Sequence, residues 1–490
     1  MKTNNDKEAA ISGGFWMTIS TAATMLAQFL RLVILTRFLE KSDFGVVSII
    51  NMVVGLCLTF TDLGFASSIM YKQNISNKEF STLYWTQFIL FFTIYGILSL
   101  TSPLIGMFYN ESSLVYLIPI AGSSILFQAI GKLYDSVLQK KYKFKIIAIL
   151  SIVANFSSLF LAWFLAAHNY GVYSLILSTL FSVTIYNIGE LIIGLKYQRL
   201  SFCLNIKDAL PLIKIGIYQT GTHILDFMSN KIDVMIIGKL LGVEILGVYD
   251  LAKELVIKFV GLIRTIVSKV ALPILANNNN NDENVKLRFL QITKIVAIIC
   301  TPICILLSVF SKEVVTIIYG EKFIEASLIV AIFAIVSLIS AISCFIDMLG
   351  VAKGKTKLNF TNTVYRIIVT TPIVLITSLI SIEAVAWGQL IAAMICFFIF
   401  WNVVTMNTYP MSLKEYFSQF GKYFILTCCV GIIVAISRYI FPLPTNNIIL
   451  NTLLYLFLFV FLFGVSSCIF LKDEIVFIIS MMPQKLRQII

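Results

Sequence analysis

The sequence predicts an all-α membrane protein with about fourteen transmembrane helices. Apolar stretches long enough to span a bilayer follow one another from Ile11 to Leu471 with only short polar breaks. Hydrophobic residues make up 59% of the 490 residues, charged residues make up 13%, and the mean hydropathy is +0.92. A soluble enzyme could not bury this much apolar surface, and the runs are too long and unbroken for the alternating strands of a membrane barrel.

The length and punctuation of the apolar runs place the individual helices. Their centres are expected roughly at residues 25, 57, 93, 125, 156, 184, 224, 259, 299, 336, 370, 394, 430 and 459. The first run begins near Ile11, contains Arg31 and is long enough to span the bilayer. We therefore interpret it as the first helix and not as a cleavable signal.

Lysine and arginine residues alternate between rich and poor loops along this series. The loops around Asn110, His168, Glu383 and Thr445 contain neither residue. One rich loop is assigned the lysines Lys132, Lys140, Lys141, Lys143 and Lys145. The positive-inside rule then places both termini in the cytoplasm and predicts a multi-pass protein of the cytoplasmic membrane. The net charge of +12 is scattered along the chain, so no nucleic-acid partner is expected.

No metal site, cofactor site or catalytic centre is indicated. The nine cysteines lie mostly inside apolar runs and form no CxxC pair, and His168 and His223 are the only histidines. A zinc site or a Cys/His nucleophile would need more ligands or partners than this. We predict no catalytic residues, no metal, no cofactor and no enzymatic activity.

An internal repeat relates the first helix to the seventh. A shift of 202 residues places Arg37 on Lys239 and Gly45 on Gly247. The same shift matches polar residues that recur every three or four positions, which is the spacing of one helix face. The matched pairs are Ser20 with Thr222, Thr24 with Asp226, Gln28 with Asn230, and Arg31 with Asp233. Because the shift spans six helices, both copies enter the membrane in the same direction.

The repeat predicts two pseudo-symmetric six-helix bundles in parallel repeat, followed by two C-terminal helices. Residues 1–209 form the N-terminal six-helix half, and residues 210–410 form the C-terminal half. Residues 411–490 contain the two extra transmembrane helices and a cytoplasmic tail.

Ionisable side chains are concentrated at membrane depth, where each charge costs about 2.5 to 3.5 kcal/mol unless it faces a bundle interior or water. We interpret the matched polar faces of the first and seventh helices as the lining of a net basic chamber between the two halves. Interhelical ion pairs, or side chains that extend to the membrane interface, would give a similar pattern. Arginine binds phosphate oxygens with two parallel hydrogen bonds, so the chamber suits phosphate or pyrophosphate. The candidate anion contacts are Arg31, Gln28, Thr24, Lys231, Asn230 and Arg264, of which Arg31 is the leading one.

Three acids of the same region are candidates for holding a proton or a sodium ion, because a buried carboxylate is readily neutralised. They are Asp226, Asp233 and Glu190. A direct ion pair between Asp233 and Arg31 is an equal alternative, and the two arrangements can alternate between states.

Short motifs occur along nearly the whole chain in an order typical of one family. They are Asp43-Phe44-Gly45, Asp62-Leu63-Gly64-Phe65, Leu138 to Phe144, Gly242 to Tyr249, Pro273, Tyr319 to Phe323, and Gly350 to Lys355. In these motifs the sequence resembles the polysaccharide flippases of the multidrug/oligosaccharidyl-lipid/polysaccharide (MOP) exporter superfamily, which handle O-antigen, capsule or exopolysaccharide precursors. The lysines between residues 138 and 145, and Phe323 in place of a frequent tryptophan, depart from the family pattern and leave the particular polysaccharide open.

The resemblance implies a V-shaped, MATE-like architecture. It implies translocation of undecaprenyl-pyrophosphate-linked oligosaccharide across the cell inner membrane by alternating access, for lipopolysaccharide O-antigen or other surface polysaccharide biosynthesis. The expected partners are the lipid-linked oligosaccharide, the lipid bilayer and other polysaccharide assembly proteins. Coupling to an H⁺ or Na⁺ gradient, or to the membrane potential, is expected.

Other functional classes remain open at this point. A cation-coupled multidrug antiporter of the same fold would need a site dominated by acids, whereas the predicted chamber is basic. A polytopic membrane enzyme of polysaccharide assembly would usually carry a large outer loop with clustered polar groups, and the outer loops here are short. A channel is disfavoured, because a repeat of two halves whose matched polar faces carry different residues is more typical of a transporter that rocks between states than of a static pore.

Overall fold

The computed structural model is all-helical over the residues that it describes, which are 2–61, 65, 69–70, 75–202, 206–276, 282–440 and 448–470. Within these ranges the description omits the side chains of residues 2–11, 206–219, 262, 264–276, 282, 347, 351–352, 356 and 448–449. No strand occurs in the described ranges, and the predicted all-α class is confirmed.

The long helices of the first part of the chain are α1 (Lys2–Phe38), α2 (Lys41–Thr61), α3 (Asn77–Tyr109), α4 (Leu114–Lys140), α5 (Phe144–Ala167), α6 (Tyr173–Gly194), α7 (Ile206–Leu240) and α8 (Val243–Ala276). Several begin or end at recognisable signals. Ser76 forms a capping box with Glu79 at the start of α3, and Asn110 ends that helix in the left-handed conformation.

The later helices are α9 (Asp282–Val309), α10 (Ser311–Ile318), α11 (Ala326–Ser343), α12 (Ile346–Ala352), α13 (Thr356–Ser378), α14 (Ile382–Phe400), α15 (Met406–Thr408), α16 (Leu413–Ser418), α17 (Gly421–Ile440) and α18 (Ile448–Phe470). A short 3₁₀ helix (Glu321–Phe323) precedes α11, and a π-helical turn (Trp401–Thr405) continues α14.

Twelve helices are long and apolar enough to cross a membrane, counting only described residues. Helices α7 and α8 are 35 and 34 residues long but are not among the twelve. In α7, the charged residues Asp226, Lys231 and Asp233 fall within eight positions and lower the hydropathy of the central turns. The prediction of a membrane protein with many spanning helices is confirmed, and the number fourteen stays a prediction.

The chain forms two compact units, residues 1–250 and residues 251–490. In the first unit, α1 packs on α5, α4 packs on α3 and α6, and α5 packs on α6. Helix α7 packs on α2 and α3 of the same unit. The predicted boundary at residue 209 concerns the sequence repeat, and it stays a prediction.

In the second unit, α9 packs on α11 and α17, α14 packs on α11 and α13, and α17 packs on α18. Tyr416 is fully buried, and its hydroxyl donates to the Ile342 carbonyl oxygen at 3.1 Å. Arg438 of α17 pairs with Glu313 of α10 and donates to the Val309 carbonyl oxygen at 2.7 Å. These contacts satisfy polar groups that hydrocarbon would leave without partners.

Two glycines of the first unit make a reciprocal close approach near the starts of α2 and α8. A Cβ atom on Gly45 would overlap the carbonyl oxygen of Val243, and a Cβ atom on Gly247 would overlap the carbonyl oxygen of Lys41. Only a hydrogen atom fits at either position, so the two backbones touch directly.

Candidate functional site

A polar cavity lies inside the first unit, between α1, α4, α5 and α6. Its volume is about 410 Å³, and we call it the N-terminal cavity. Its wall consists of Gln28, Arg31, Gln128, Lys132, Asp135, Ser151, Asn155, Thr179, Ser182, Val183, Tyr186, Asn187 and Glu190. All of these except Val183 are polar or charged, and the four helices are all candidate spans. Polar walls between helices that are long and apolar enough to cross a membrane indicate a path or site for polar groups.

Helix α1 contributes Arg31, which is half-buried. Its Nη1 atom donates to the Ser158 hydroxyl oxygen at 3.0 Å and to the Thr179 hydroxyl oxygen at 3.3 Å. The Ser158 hydroxyl donates in turn to the Ser178 carbonyl oxygen at 2.6 Å, which leaves the Ser158 lone pairs for the guanidinium. These hydroxyls orient the guanidinium and do not neutralise its charge.

Helix α4 presents Gln128, Lys132 and Asp135 to the cavity at steps of four and three, so the three side chains share one helix face. The Lys132 amine lies 5.8 Å from the centre of the Phe91 ring on α3. Asp135 accepts a hydrogen bond at 2.9 Å from the side-chain amide of Gln139, one turn further along α4.

Gly131 sets how closely α4 approaches α6 at this wall. A Cβ atom on Gly131 would lie 2.6 Å from the carbonyl oxygen of Asn187. The close approach of the two backbones brings the Asp135 carboxyl next to the Glu190 carboxyl, with the Tyr186 hydroxyl nearby. Glu190 is 0% exposed, and neither of its carboxylate oxygens has a hydrogen-bond partner among the described residues.

The chemistry of the N-terminal cavity is that of an anion site next to an acid pair. Arg31 and Lys132 supply two positive charges, and the amide and hydroxyl side chains supply further donors. Small-molecule sites have volumes of roughly 300 to 1,000 Å³, so a cavity of about 410 Å³ is large enough for a phosphate or pyrophosphate group but not for a long polyprenyl chain.

The structure brings together three of the residues that the sequence predicted for the site. Arg31, Gln28 and Glu190 line the same cavity, and the Gln28 amide lies 3.5 Å from the Asn155 amide oxygen. Thr24 is one turn away on α1, where its hydroxyl donates to the Thr21 carbonyl oxygen at 3.0 Å. The functions assigned to these residues stay predictions.

The predicted residues of α7 do not line the N-terminal cavity. Asn230 is exposed and donates to the Asp226 carbonyl oxygen at 2.7 Å, and Lys231 lies 3.9 Å from Asp250. Asp233 is 2% exposed and accepts from the Tyr249 hydroxyl at 2.7 Å and from the Val234 backbone N–H at 2.9 Å. The side chain of Arg264 lies outside the described residues.

Sequence reasoning missed Lys132 and Asp135. From the sequence, Lys132 belongs with the lysines of a cytoplasmic loop, because the apolar run of the fourth helix weakens before it. The structure continues α4 to Lys140, so Lys132 falls on the cavity face of that helix. The sequence contains a signal that could have identified both residues: polar side chains recur at positions 128, 132 and 135, which is the spacing of one helix face.

Replacing Tyr249 with phenylalanine should lower stability more than the same change at Tyr319. Both tyrosines are buried, but Tyr249 donates to the Asp233 carboxylate, whereas Tyr319 donates to the Leu251 carbonyl oxygen at 3.0 Å. A hydrogen bond to a charged group contributes about 1.5 to 3 kcal/mol, and a neutral one contributes about 1 kcal/mol. Thermal unfolding of the purified protein in detergent measures the difference. Equal shifts for the two variants would contradict this account of Asp233.

Comparison with known proteins identifies the family to which this sequence belongs. A family model described as "Polysaccharide biosynthesis protein" matches residues 34–328, which is more than half of the chain. The chain belongs to this polysaccharide biosynthesis family. The matched segment includes α2 to α6 and therefore most of the wall of the N-terminal cavity.

Individual curated proteins are similar to this chain over most of their length. The teichuronic acid biosynthesis protein TuaB of Bacillus subtilis is 26% identical over 470 residues, which cover 92% of this chain and 95% of that protein. The lipopolysaccharide biosynthesis protein WzxC of Escherichia coli is 24% identical over 371 residues, which cover 76% of this chain and 75% of that protein.

Solved structures with the same fold belong to membrane transporters. The lipid II flippase MurJ in an inward closed conformation superimposes with a TM-score of 0.73 at 16% identity, covering 93% of this chain and 99% of that one. An inward-facing multidrug resistance MATE transporter of the MOP superfamily gives a TM-score of 0.62 at 12% identity, covering 79% of this chain and 94% of that one. This member of the polysaccharide biosynthesis family therefore has the MOP superfamily fold.

Proposed function

We propose that this chain is a flippase that moves undecaprenyl-pyrophosphate-linked oligosaccharide units across the cytoplasmic membrane by alternating access, for surface polysaccharide biosynthesis. Its family and its fold support this function together. Relatives are named for teichuronic acid and lipopolysaccharide biosynthesis, and one from Rhizobium meliloti is named a succinoglycan biosynthesis transport protein. The fold is shared with a lipid II flippase. We assign the chain a transport function and no enzymatic one.

The N-terminal cavity is the observation on which the proposal depends. A pyrophosphate group cannot enter hydrocarbon unaccompanied, since an unpaired charge there is strongly disfavoured. Arg31 and Lys132 lie on the wall of a cavity formed by spanning helices, where the surrounding low dielectric strengthens their attraction for phosphate oxygens. The lipid tail can remain in the bilayer while the pyrophosphate is shielded, because a cavity of about 410 Å³ accommodates the pyrophosphate but not the polyprenyl chain.

We further propose that α7 and α8 also span the membrane, which would give fourteen spanning helices in two repeated halves, residues 1–209 and 210–410. The glycine contact supports the repeat. Under the shift of 202 residues Gly45 becomes Gly247 and Lys41 becomes Val243, so the two backbone contacts exchange with each other. A contact that maps onto itself in this way is typical of a pseudo-two-fold axis.

The packing within each unit also supports the repeat. In the first unit the third helix packs on the fourth, the fourth on the sixth, and the fifth on the sixth. In the second unit the corresponding helices are α9, α11, α13 and α14, and the same three pairs are in contact. Related six-helix units explain why the same neighbours recur.

The proposed location is the cytoplasmic membrane with both termini in the cytoplasm. The alternation of lysine-rich and lysine-free loops supports this orientation. Transport requires an energy source, which we propose to be an H⁺ or Na⁺ gradient or the membrane potential. Assembly with other polysaccharide biosynthesis proteins is part of the same proposal.

Reconstitution tests the proposed function directly. Liposomes that contain the purified chain and a fluorescent polyprenyl-pyrophosphate-linked saccharide should expose the saccharide to an impermeant quencher faster than protein-free liposomes. An uncharged analogue that lacks the pyrophosphate serves as the matched control, because it has nothing for Arg31 and Lys132 to bind. Equal exposure rates with and without protein would contradict the flippase proposal.

The same preparation separates the flippase from a multidrug antiporter. The antiporter would accumulate a lipophilic cation against a proton or sodium gradient and would leave the lipid-linked saccharide in its starting leaflet. We expect saccharide exposure and no cation accumulation.

A further inference from the structure

Two acidic side chains meet at the α4 and α6 wall of the N-terminal cavity. The carboxyl groups of Asp135 and Glu190 are neighbours, and Glu190 is 0% exposed. Among the described residues, neither carboxylate oxygen of Glu190 has a hydrogen-bond partner. Asp135 has a partner for one of its two oxygens, the Gln139 amide, and none for the other. The Glu190 carboxyl is fully buried and the Asp135 carboxyl is half-buried, so unsatisfied oxygens at this position favour the binding of a proton or another cation.

A shared proton satisfies this geometry with the fewest requirements. Two ionised carboxylates side by side repel each other, and the burial of Glu190 limits the water that would screen the pair. One proton between them turns the repulsion into a hydrogen bond, as in other buried carboxyl pairs. A metal ion would need more oxygen ligands than the pair provides, and no cluster of three or more acidic, histidine or cysteine side chains occurs in the described part of the chain.

The charged and titratable groups around the pair come from three helices. Arg31 of α1, Lys132 of α4 and Tyr186 of α6 line the cavity with it. Helix α5 contributes the uncharged Ser151 and Asn155. Helices α2 and α3, which also pack on α4, carry no Lys, Arg, Asp or Glu after their first turns.

The balance of charge in the cavity therefore depends on the pair. When both acids are ionised, they offset Arg31 and Lys132, and the four charged side chains sum to zero. When the pair holds one proton, the sum is one positive charge. A phosphate-type anion is attracted more strongly in the second state, and its own charge strengthens the hold of the pair on the proton.

We propose that the Asp135–Glu190 pair is a proton site coupled to anion binding in the N-terminal cavity, so that each ligand strengthens the binding of the other. This inference rests on the proposed function, because it specifies how the head-group site is regulated. One proton moves from solvent to a carboxylate oxygen, so that one O–H bond forms on the pair as one breaks in hydronium or a buffer acid. The anion binds to Arg31 and Lys132 through hydrogen bonds and charge alone, and no oxidant or reductant is needed. Occupancy of the cavity then depends on the pH of the compartment to which it is open.

Calorimetry on the full chain in lipid nanodiscs tests the coupling. Sulfate is the probe, because it stays doubly charged across the pH range and any proton uptake comes from the protein. Titrations in buffers of different ionisation enthalpy should reveal proton uptake on binding. The affinity should fall by up to about tenfold per pH unit once the empty site has lost its proton.

The Glu190→Gln variant should bind sulfate with no proton uptake and with an affinity that no longer depends on pH. Glu383→Gln, which changes an exposed glutamate at the start of α14, should keep the wild-type pH profile. The wild type should also show a carboxylic-acid C=O band in infrared difference spectra on sulfate binding. This readout remains decisive if Glu190→Gln does not fold.

Several outcomes would overturn the proposal. Sulfate affinity independent of pH in the wild type, or a pH dependence that survives in Glu190→Gln, would exclude the coupling and leave the flippase function intact. Binding that requires sodium and takes up no proton would replace the proton with a metal ion. Absence of sulfate binding at every pH would exclude the anion site itself, whereas the liposome assay tests flipping independently.

Discussion

Replacing Arg31 with alanine should abolish surface polysaccharide while leaving the protein in the membrane. The guanidinium is oriented by Ser158 and Thr179 and lines the N-terminal cavity. Two charge-assisted hydrogen bonds to a phosphate contribute about 3 kcal/mol or more, so their loss should reduce head-group binding roughly a hundredfold. The measurement is polysaccharide at the cell surface, normalised to the amount of tagged protein in the membrane fraction.

Two further variants make this result specific to the cavity. Arg31→Lys keeps the charge but loses the forked geometry, so it should retain an intermediate level of polysaccharide. Arg288→Ala removes an exposed arginine of α9 and should leave the level unchanged. Normal polysaccharide in Arg31→Ala at normal protein level would remove Arg31 from the proposed site.

Replacing Gly45 with alanine should prevent correct folding of the first unit. The added methyl group would overlap the Val243 carbonyl oxygen, and a backbone atom cannot move aside as a flexible side chain can. Overpacking of this kind costs about 3 kcal/mol or more, because α2 and α8 must separate. We expect a large loss of folded protein, measured as the monodisperse fraction in size-exclusion chromatography of detergent extracts.

Gly247→Ala should have a comparable effect, since its methyl group would overlap the Lys41 carbonyl oxygen in the reciprocal contact. Gly96→Ala is the matched control, because an added Cβ atom there meets nothing within 4 Å. Folded Gly45→Ala protein in amounts equal to Gly96→Ala would show that the two backbones do not need this close contact.

Much of the candidate site could be predicted on α1, where spacing and charge fall in one sequence segment. Their spacing predicts that Gln28 and Arg31 share one polar face, and the structure places both on the wall of the N-terminal cavity. Glu190 was found because a glutamate in an apolar run is costly unless it has a function or a partner. Its neighbour Asp135 was missed, because the carboxyl pair depends on how closely α4 approaches α6.

The partner of Asp233 shows the same limit. The sequence offered an ion pair with Arg31 or a bound ion, since both fit a charge at membrane depth. The structure adds the Tyr249 hydroxyl, which comes from the next helix after the turn at Gly242. Helical periodicity identifies which face a residue occupies, but it does not identify which side chain on a neighbouring helix faces it.

The sequence by itself determined the all-helical membrane class, the positions of the twelve candidate spans of the described residues and the match of Gly45 with Gly247, because hydrophobicity and helical spacing are local properties of the chain. The tertiary structure alone decided that Gly45 meets Val243, that Gly131 lets α4 approach α6, and that Arg31, Lys132, Asp135 and Glu190 share one cavity. These juxtapositions depend on the distances between helix backbones, which are set by packing among residues far apart in the sequence.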